Sequence, residues 1–77
     1  MRTYIDLKGN IWILDHFVKI YVKSIYDQPH HEVPDWFGIY GTVISGQEFL
    51  MCQCENNFVA EEQLDYILRC LSELAPN

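Results

Sequence analysis

The sequence predicts a small α+β domain: an antiparallel sheet of two hairpins plus a linking strand, with one C-terminal helix packed on one face. Three observations predict it. Residues 2–55 alternate apolar and polar positions in short runs broken by Gly and Pro. Two of the glycines, Gly9 and Gly46, fall midway through such runs, where hairpin turns belong. From Asn57 the apolar period lengthens to three and four residues, as a helix face requires. The 77 residues hold one domain, because a second core could not be built from what remains.

The first element, "YIDLKGNIWIL", reads as a hairpin with Gly9-Asn10 as a two-residue primed turn. Pairing Lys8 with Ile11 then puts Leu7 on the side of Trp12, and Ile5 on the side of Leu14. A short turn at Asp15-His16 leads into "FVKIYVKSIY". There Val18, Ile20 and Val22 share one side, and Lys19, Tyr21 and Lys23 the other. A linker follows at 27–35, rich in Pro and acids. The second hairpin, "DWFGIYGTVISGQEFLMCQCE", turns around Ser45-Gly46. Its implied pairing sets Phe37, Ile39 and Val43 with Leu50, Cys52 and Cys54, and sets Trp36, Tyr40, Thr42 and Ile44 with Phe49, Met51 and Gln53.

The helix is expected over about 57–75. Asn57 serves as its N-cap, Glu61 and Glu62 lie near its positive end, and Pro76 stops it. Its stripe comprises Ala60, Leu64, Ile67, Leu68, Leu71, Leu74 and Ala75. One such helix covers only one face of the sheet. The other face is then left with Tyr4, Ile11, Ile13, Tyr21, Tyr40, Phe49 and Met51, with Trp36 at its margin and Lys19 and Lys23 among them.

Charge narrows the function classes. The net charge is −6. Residues 1–25 set Arg2, Lys8, Lys19 and Lys23 against Asp6 and Asp15, while residues 26–77 set Arg69 alone against nine acids. Five basic residues are thin support for a phosphate backbone, so direct nucleic-acid binding is not expected. No apolar run is long enough to span a bilayer, so no membrane partner is expected either. The three cysteines, Cys52, Cys54 and Cys70, follow no signal peptide, which favours free thiols in a cytoplasmic setting.

Two constellations could carry chemistry. His30 and His31, between Pro29 and Pro34, together with Cys52 and Cys54, supply four potential metal ligands. Neighbouring side chains diverge in an extended chain, however, so adjacent histidines chelate poorly. Cys52 and Cys54 point the same way in a strand, toward the side expected to meet the helix, where a thiol packs as a small apolar group. A zinc-binding regulatory module on these four residues is the alternative reading. Catalysis is disfavoured. No cysteine has an electropositive setting, the acids of the 27–35 loop have no recognisable spacing, and no Gly-rich phosphate loop is present.

The aromatic sheet face is the stronger candidate. A solvent-facing sheet alternates polar residues outward, and Tyr, Trp and Met are the types enriched in interface cores. The expected binding residues are Tyr21, Trp36, Tyr40, Phe49 and Met51, with Glu61, Glu62 and Asp65 on the acidic helix back as a second surface. No cofactor is implied. The partner class is another protein, such as a basic nucleic-acid-binding complex, or a second copy in a homodimer.

In size, acidity and the order of hairpins then helix ("NNFVAEEQLDYILRCLSEL"), the whole chain resembles in outline the small proteins of phages and mobile elements, anti-CRISPR and related counter-defence inhibitors among them. That resemblance implies a non-catalytic inhibitor docking on a nuclease or DNA-binding complex.

Overall fold

The structure, a computed structural model, describes residues 1–72. Its strands form two antiparallel sheets with one helix packed on them, an α+β fold. The first sheet pairs β1 (Thr3–Ile5) with β2 (Ile11–Ile13). A single 3-10 turn, Leu14–His16, leads to β3 (Phe17–Ile25), which pairs with β4 (Trp36–Val43), itself paired with β5 (Glu48–Cys54). The helix, α1 (Asn57–Ser72), lies against β4, β5, β3 and β1. The expected single sheet is therefore divided: the first hairpin stands apart from the three-stranded sheet.

Both hairpins turn through three residues, not two. In the first, the Asp6 N–H donates to the Asn10 carbonyl and the Gly9 N–H donates to that of Asp6, with Gly9 at φ 86°. The second repeats this with Val43 and Gln47, and Gly46 at φ 95°. In each loop glycine takes the left-handed third position, the site of a G1-type bulge. The extra turn residue changes register and therefore face.

In the first hairpin Tyr4 pairs with Trp12, and Ile5 with Ile11. The expected placements of Tyr4, Leu7 and Ile5 are thus corrected: Tyr4 is fully buried, while Leu7 and Ile5 are exposed. The Tyr4 ring meets that of Tyr66 edge-on at 5.6 Å, and its hydroxyl donates to Gln63 Oε1 at 2.8 Å, which makes burial of a phenol tolerable. That burial, with the neighbouring Cys52 thiol second, holds the phenol well above its usual range.

In the second hairpin a bulge at Met51 absorbs the extra residue. On its far side Phe37 faces Cys54 and Ile39 faces Cys52, as expected; on the turn side Tyr40 faces Leu50 and Gly41 faces Phe49. Leu50 therefore joins the outer face, and Met51, 1% exposed, turns into the core. A second bulge lies between Phe17 and Lys19. It leaves Val18 at 66% exposure, and Phe17 takes the inward place against Trp12 and Phe49. Gly41 lets these layers close, since a Cβ there would lie 2.5 Å from the Phe17 ring and 2.7 Å from Met51 Sδ.

The helix begins at Asn57, as expected, but its cap is the residue before. Asn56 caps it, its Oδ1 accepting the Val59 N–H at 2.9 Å. The buried stripe is Ala60 and Ile67, flanked by Val59, Leu64, Cys70 and Leu71. Leu68, expected in the stripe, is 55% exposed. Leu74, Ala75 and the Pro76 stop lie outside the described residues. No helix among the described residues is long and apolar enough to cross a membrane.

Candidate functional site

The side of the three-stranded sheet away from α1 is built by alternation in β3 and β4. Tyr21 and Tyr40 are direct cross-strand partners, with ring centroids 6.3 Å apart and planes 18° apart. Lys23 Nζ stands 4.8 Å from the Tyr40 centroid and 5.8 Å from that of Tyr21; Lys19 Nζ stands 5.1 Å from Tyr21. A lysine over an aromatic face gains from the ring quadrupole while its stem shields part of the ring. Lys23 is also ion-paired to Glu48 Oε1 at 2.9 Å, whereas Lys19 makes no ion pair among the described residues.

Gly38 makes the centre of this face compact. A Cβ there would lie 2.5 Å from Tyr40, 3.0 Å from Leu50 and 3.1 Å from Trp36, so these three side chains close over bare backbone. Leu50 remains 40% exposed, and both tyrosines and Trp36 are half-buried. Of the expected contact residues, Tyr21, Trp36 and Tyr40 therefore share the outer face. Phe49 and Met51 do not: both pack inward, because the three-residue turn and the Met51 bulge reverse the phase between them. Leu50 takes their place.

The 26–35 loop is folded on itself. The Asp27 N–H donates to Asp35 Oδ2 at 2.7 Å, His31 Nδ1 bonds Asp35 Oδ1 at 2.7 Å, and the Asp35 N–H reaches the Ile25 carbonyl at 2.8 Å. The Asp27 N–H, with His31 beside it, holds the Asp35 carboxyl below its usual range. The loop's hydrogen bond to the outer face runs from the Trp36 indole to Asp27 Oδ1, at 3.2 Å, so it anchors the tryptophan at the margin.

The metal-ligand types are divided between two places. Cys52 and Cys54 are buried on the helix side with sulfurs 3.7 Å apart, and burial first, then the neighbouring thiol, pushes Cys54 up to about 12. His30 and His31 are exposed on the loop. Among the described residues no group of three or more His, Cys, Asp and Glu is placed to hold a metal ion. The thiols pack as small apolar groups in the core, which is the plainer of the two expectations.

A shallow cleft of about 190 Å³ separates the first hairpin from β5, lined by Leu7, Lys8 and Trp12 opposite Leu50 and Gln53. Asp6 is its carboxylate, and that group is fully occupied. Its Oδ1 accepts the Lys8 and Asn10 N–H groups at 2.9 Å; Oδ2 accepts the Asn10 amide at 3.1 Å and the Trp12 indole at 2.9 Å. Burial alone would raise Asp6, but these donors outweigh it and bring it from 3.8 down to about 2. Such a group ties a turn together and has no lone pair to offer a substrate.

On the helix back Glu61, Glu62 and Asp65 are all exposed. Asp65 is paired with Arg69 at 3.4 Å, and Glu61 accepts from the Asn57 amide at 3.3 Å. Glu73, a further acid on the same stretch of sequence, lies outside the described residues. No protein-family model, curated protein or solved structure matches the chain.

Proposed function

We propose that the chain is a non-catalytic protein-binding module, a small cytoplasmic inhibitor or adaptor of the phage counter-defence kind, that docks through the outer face of its three-stranded sheet. The observation that carries this reading is Tyr21, Tyr40, Leu50 and Trp36 gathered on the side of the sheet opposite the helix, with Leu50 open to solvent. Aromatic and aliphatic side chains held by close packing suit an interface core, because little conformational freedom is lost on contact. Lys19 and Lys23 rim the patch, so the complementary surface is apolar and bordered by carboxylates.

The acidic helix back faces away from this patch and meets no partner bound there. A basic complex would contact the chain on that side, but the Arg69–Asp65 pair shortens the negative strip. We place that contact second. The test is Tyr40→Glu with Leu50→Glu, both substitutions on the solvent side of the sheet. A partner captured from the source cell by the native chain is expected to be lost, while urea unfolding shifts by about 1 kcal/mol or less. Undiminished capture overturns the reading. A native chain that sediments as a dimer, and a variant that sediments as a monomer with no other protein bound, assigns the face to a second copy instead.

A further inference from the structure

The sheet that carries the proposed binding face also has an open edge, and the partner chemistry inferred from that edge rests on the proposed function. β3 is nine residues long and, among the described residues, pairs only with β4. Apart from the Leu14 carbonyl on its first N–H and the Asp35 N–H on its last carbonyl, no backbone group outside β4 reaches it among the described residues. The far edge of β5 is less open, because the tip of the first hairpin stands over it across the cleft. Proteins usually blunt an exposed edge by keeping it short, covering it, bulging it or placing lysines on it. β3 is long and uncovered, and has only its bulge at Val18 and its two lysines. Here the longest strand of the fold is the open one.

Side chains on this edge specify what could pair with it. Lys19, Tyr21 and Lys23 project to the outer face, and Ile20 and Val22 project inward, packed against the core. Lys19 and Lys23 are four residues apart, about 13 Å along the strand. Lys19 has no ion-pair partner among the described residues, and Lys23, now on Glu48 and over Tyr40, would exchange Glu48 for an acid on the added strand. We infer that the open edge of β3 is a docking track for an extended acidic segment of another protein, which adds as a further antiparallel strand. Opposite Lys23, Val22, Tyr21, Ile20 and Lys19 the segment would carry, in order, an acid, three apolar residues and an acid.

A second copy of the chain does not meet this requirement. β3 contains no carboxylate, so no register of self-pairing supplies the counter-charge. The antiparallel register centred on Tyr21 sets Lys19 against Lys23 twice. Lys19, without an ion-pair partner among the described residues, is the residue such an acid would satisfy.

The experiment is selection of displayed random short peptides against the full-length chain. The selected peptides are then measured against the native protein, Lys19→Glu, the Lys19→Glu/Lys23→Glu double variant, and Tyr40→Glu/Leu50→Glu. Lys19→Glu alone preserves the Lys23–Glu48 pair and guards against a folding artefact. Enriched sequences are expected to hold acids four apart around apolar residues, and to lose affinity about tenfold or more on the double charge reversal. They should also protect outward amide protons of β3 from exchange. No enrichment, peptides without that spacing, or indifference to both charge reversals overturns the edge proposal. Peptides that lack spaced acids yet fail on Tyr40→Glu/Leu50→Glu would leave the binding face standing and remove only its acidic occupant.

Discussion

Replacing Asp6 with Asn tests how the first hairpin is held. The carboxylate collects four donors from Lys8, Asn10 and Trp12, and asparagine offers one oxygen in place of two. Either amide orientation leaves two donors facing an NH₂ group. The fall from 3.8 to about 2 corresponds to about 2 kcal/mol of stability supplied by the ionised form. Because the folded value lies below the unfolded one, that contribution is complete well above pH 3.8 and disappears as pH falls toward 2. Urea unfolding followed by tryptophan fluorescence, in which Trp12 reports the hairpin itself, should show Asp6→Asn less stable by about 2 kcal/mol at pH 6. The gap should narrow by about half by pH 3, where the native side chain is itself becoming neutral in the unfolded chain. Asp15 and Asp35 also titrate low, the first through Arg2 and the second through the Asp27 N–H, but both are unchanged in the variant and cancel. A gap that stays constant from pH 6 to pH 2.5, or no gap at any pH, refutes the reasoning.

Adjacent residues of β5 give the sharpest contrast in stability. Met51→Ala should cost about 2–5 kcal/mol in urea unfolding and Leu50→Ala about 1 kcal/mol or less. The opposite order would mean that the bulge has been placed on the wrong residue. Reversing Glu61, Glu62 and Asp65 to Lys should change the association rate of a captured partner by a factor that shrinks with salt, and leave its dissociation rate within about twofold. Loss of the complex on that reversal, measured by surface plasmon resonance, would move the contact to the helix.

Much of the fold was legible because its signals are local. The change from period two to period three-and-four marks the passage from β5 to α1, and Gly9 and Gly46 mark the turns. The register was legible only in part. Gly9-Asn10 has the form of a two-residue turn, but glycine here is the last residue of a three-residue loop, and Asp6 selects that loop by binding Lys8, Asn10 and Trp12. That choice depends on a side chain folding back on its own turn, which alternation does not record. In the second hairpin the extra turn residue and the Met51 bulge offset each other, so simple alternation assigns Phe37, Ile39, Cys52 and Cys54 to the right face and Phe49, Leu50 and Met51 to the wrong one. A bulge has no strong local signature in such a run. Gln63, half-buried on the helix stripe to receive the Tyr4 hydroxyl, was equally hidden, because its partner lies 59 residues away in sequence.

The binding face itself is tested most directly by hydroxyl-radical footprinting of the chain alone and in complex with a partner captured from its source cell. Protection of Tyr21, Trp36, Tyr40 and Leu50, with Tyr66 and Leu68 on the exposed side of α1 oxidised as fast as before, is the expected result. Protection of the helix residues with the sheet face unaffected would contradict it.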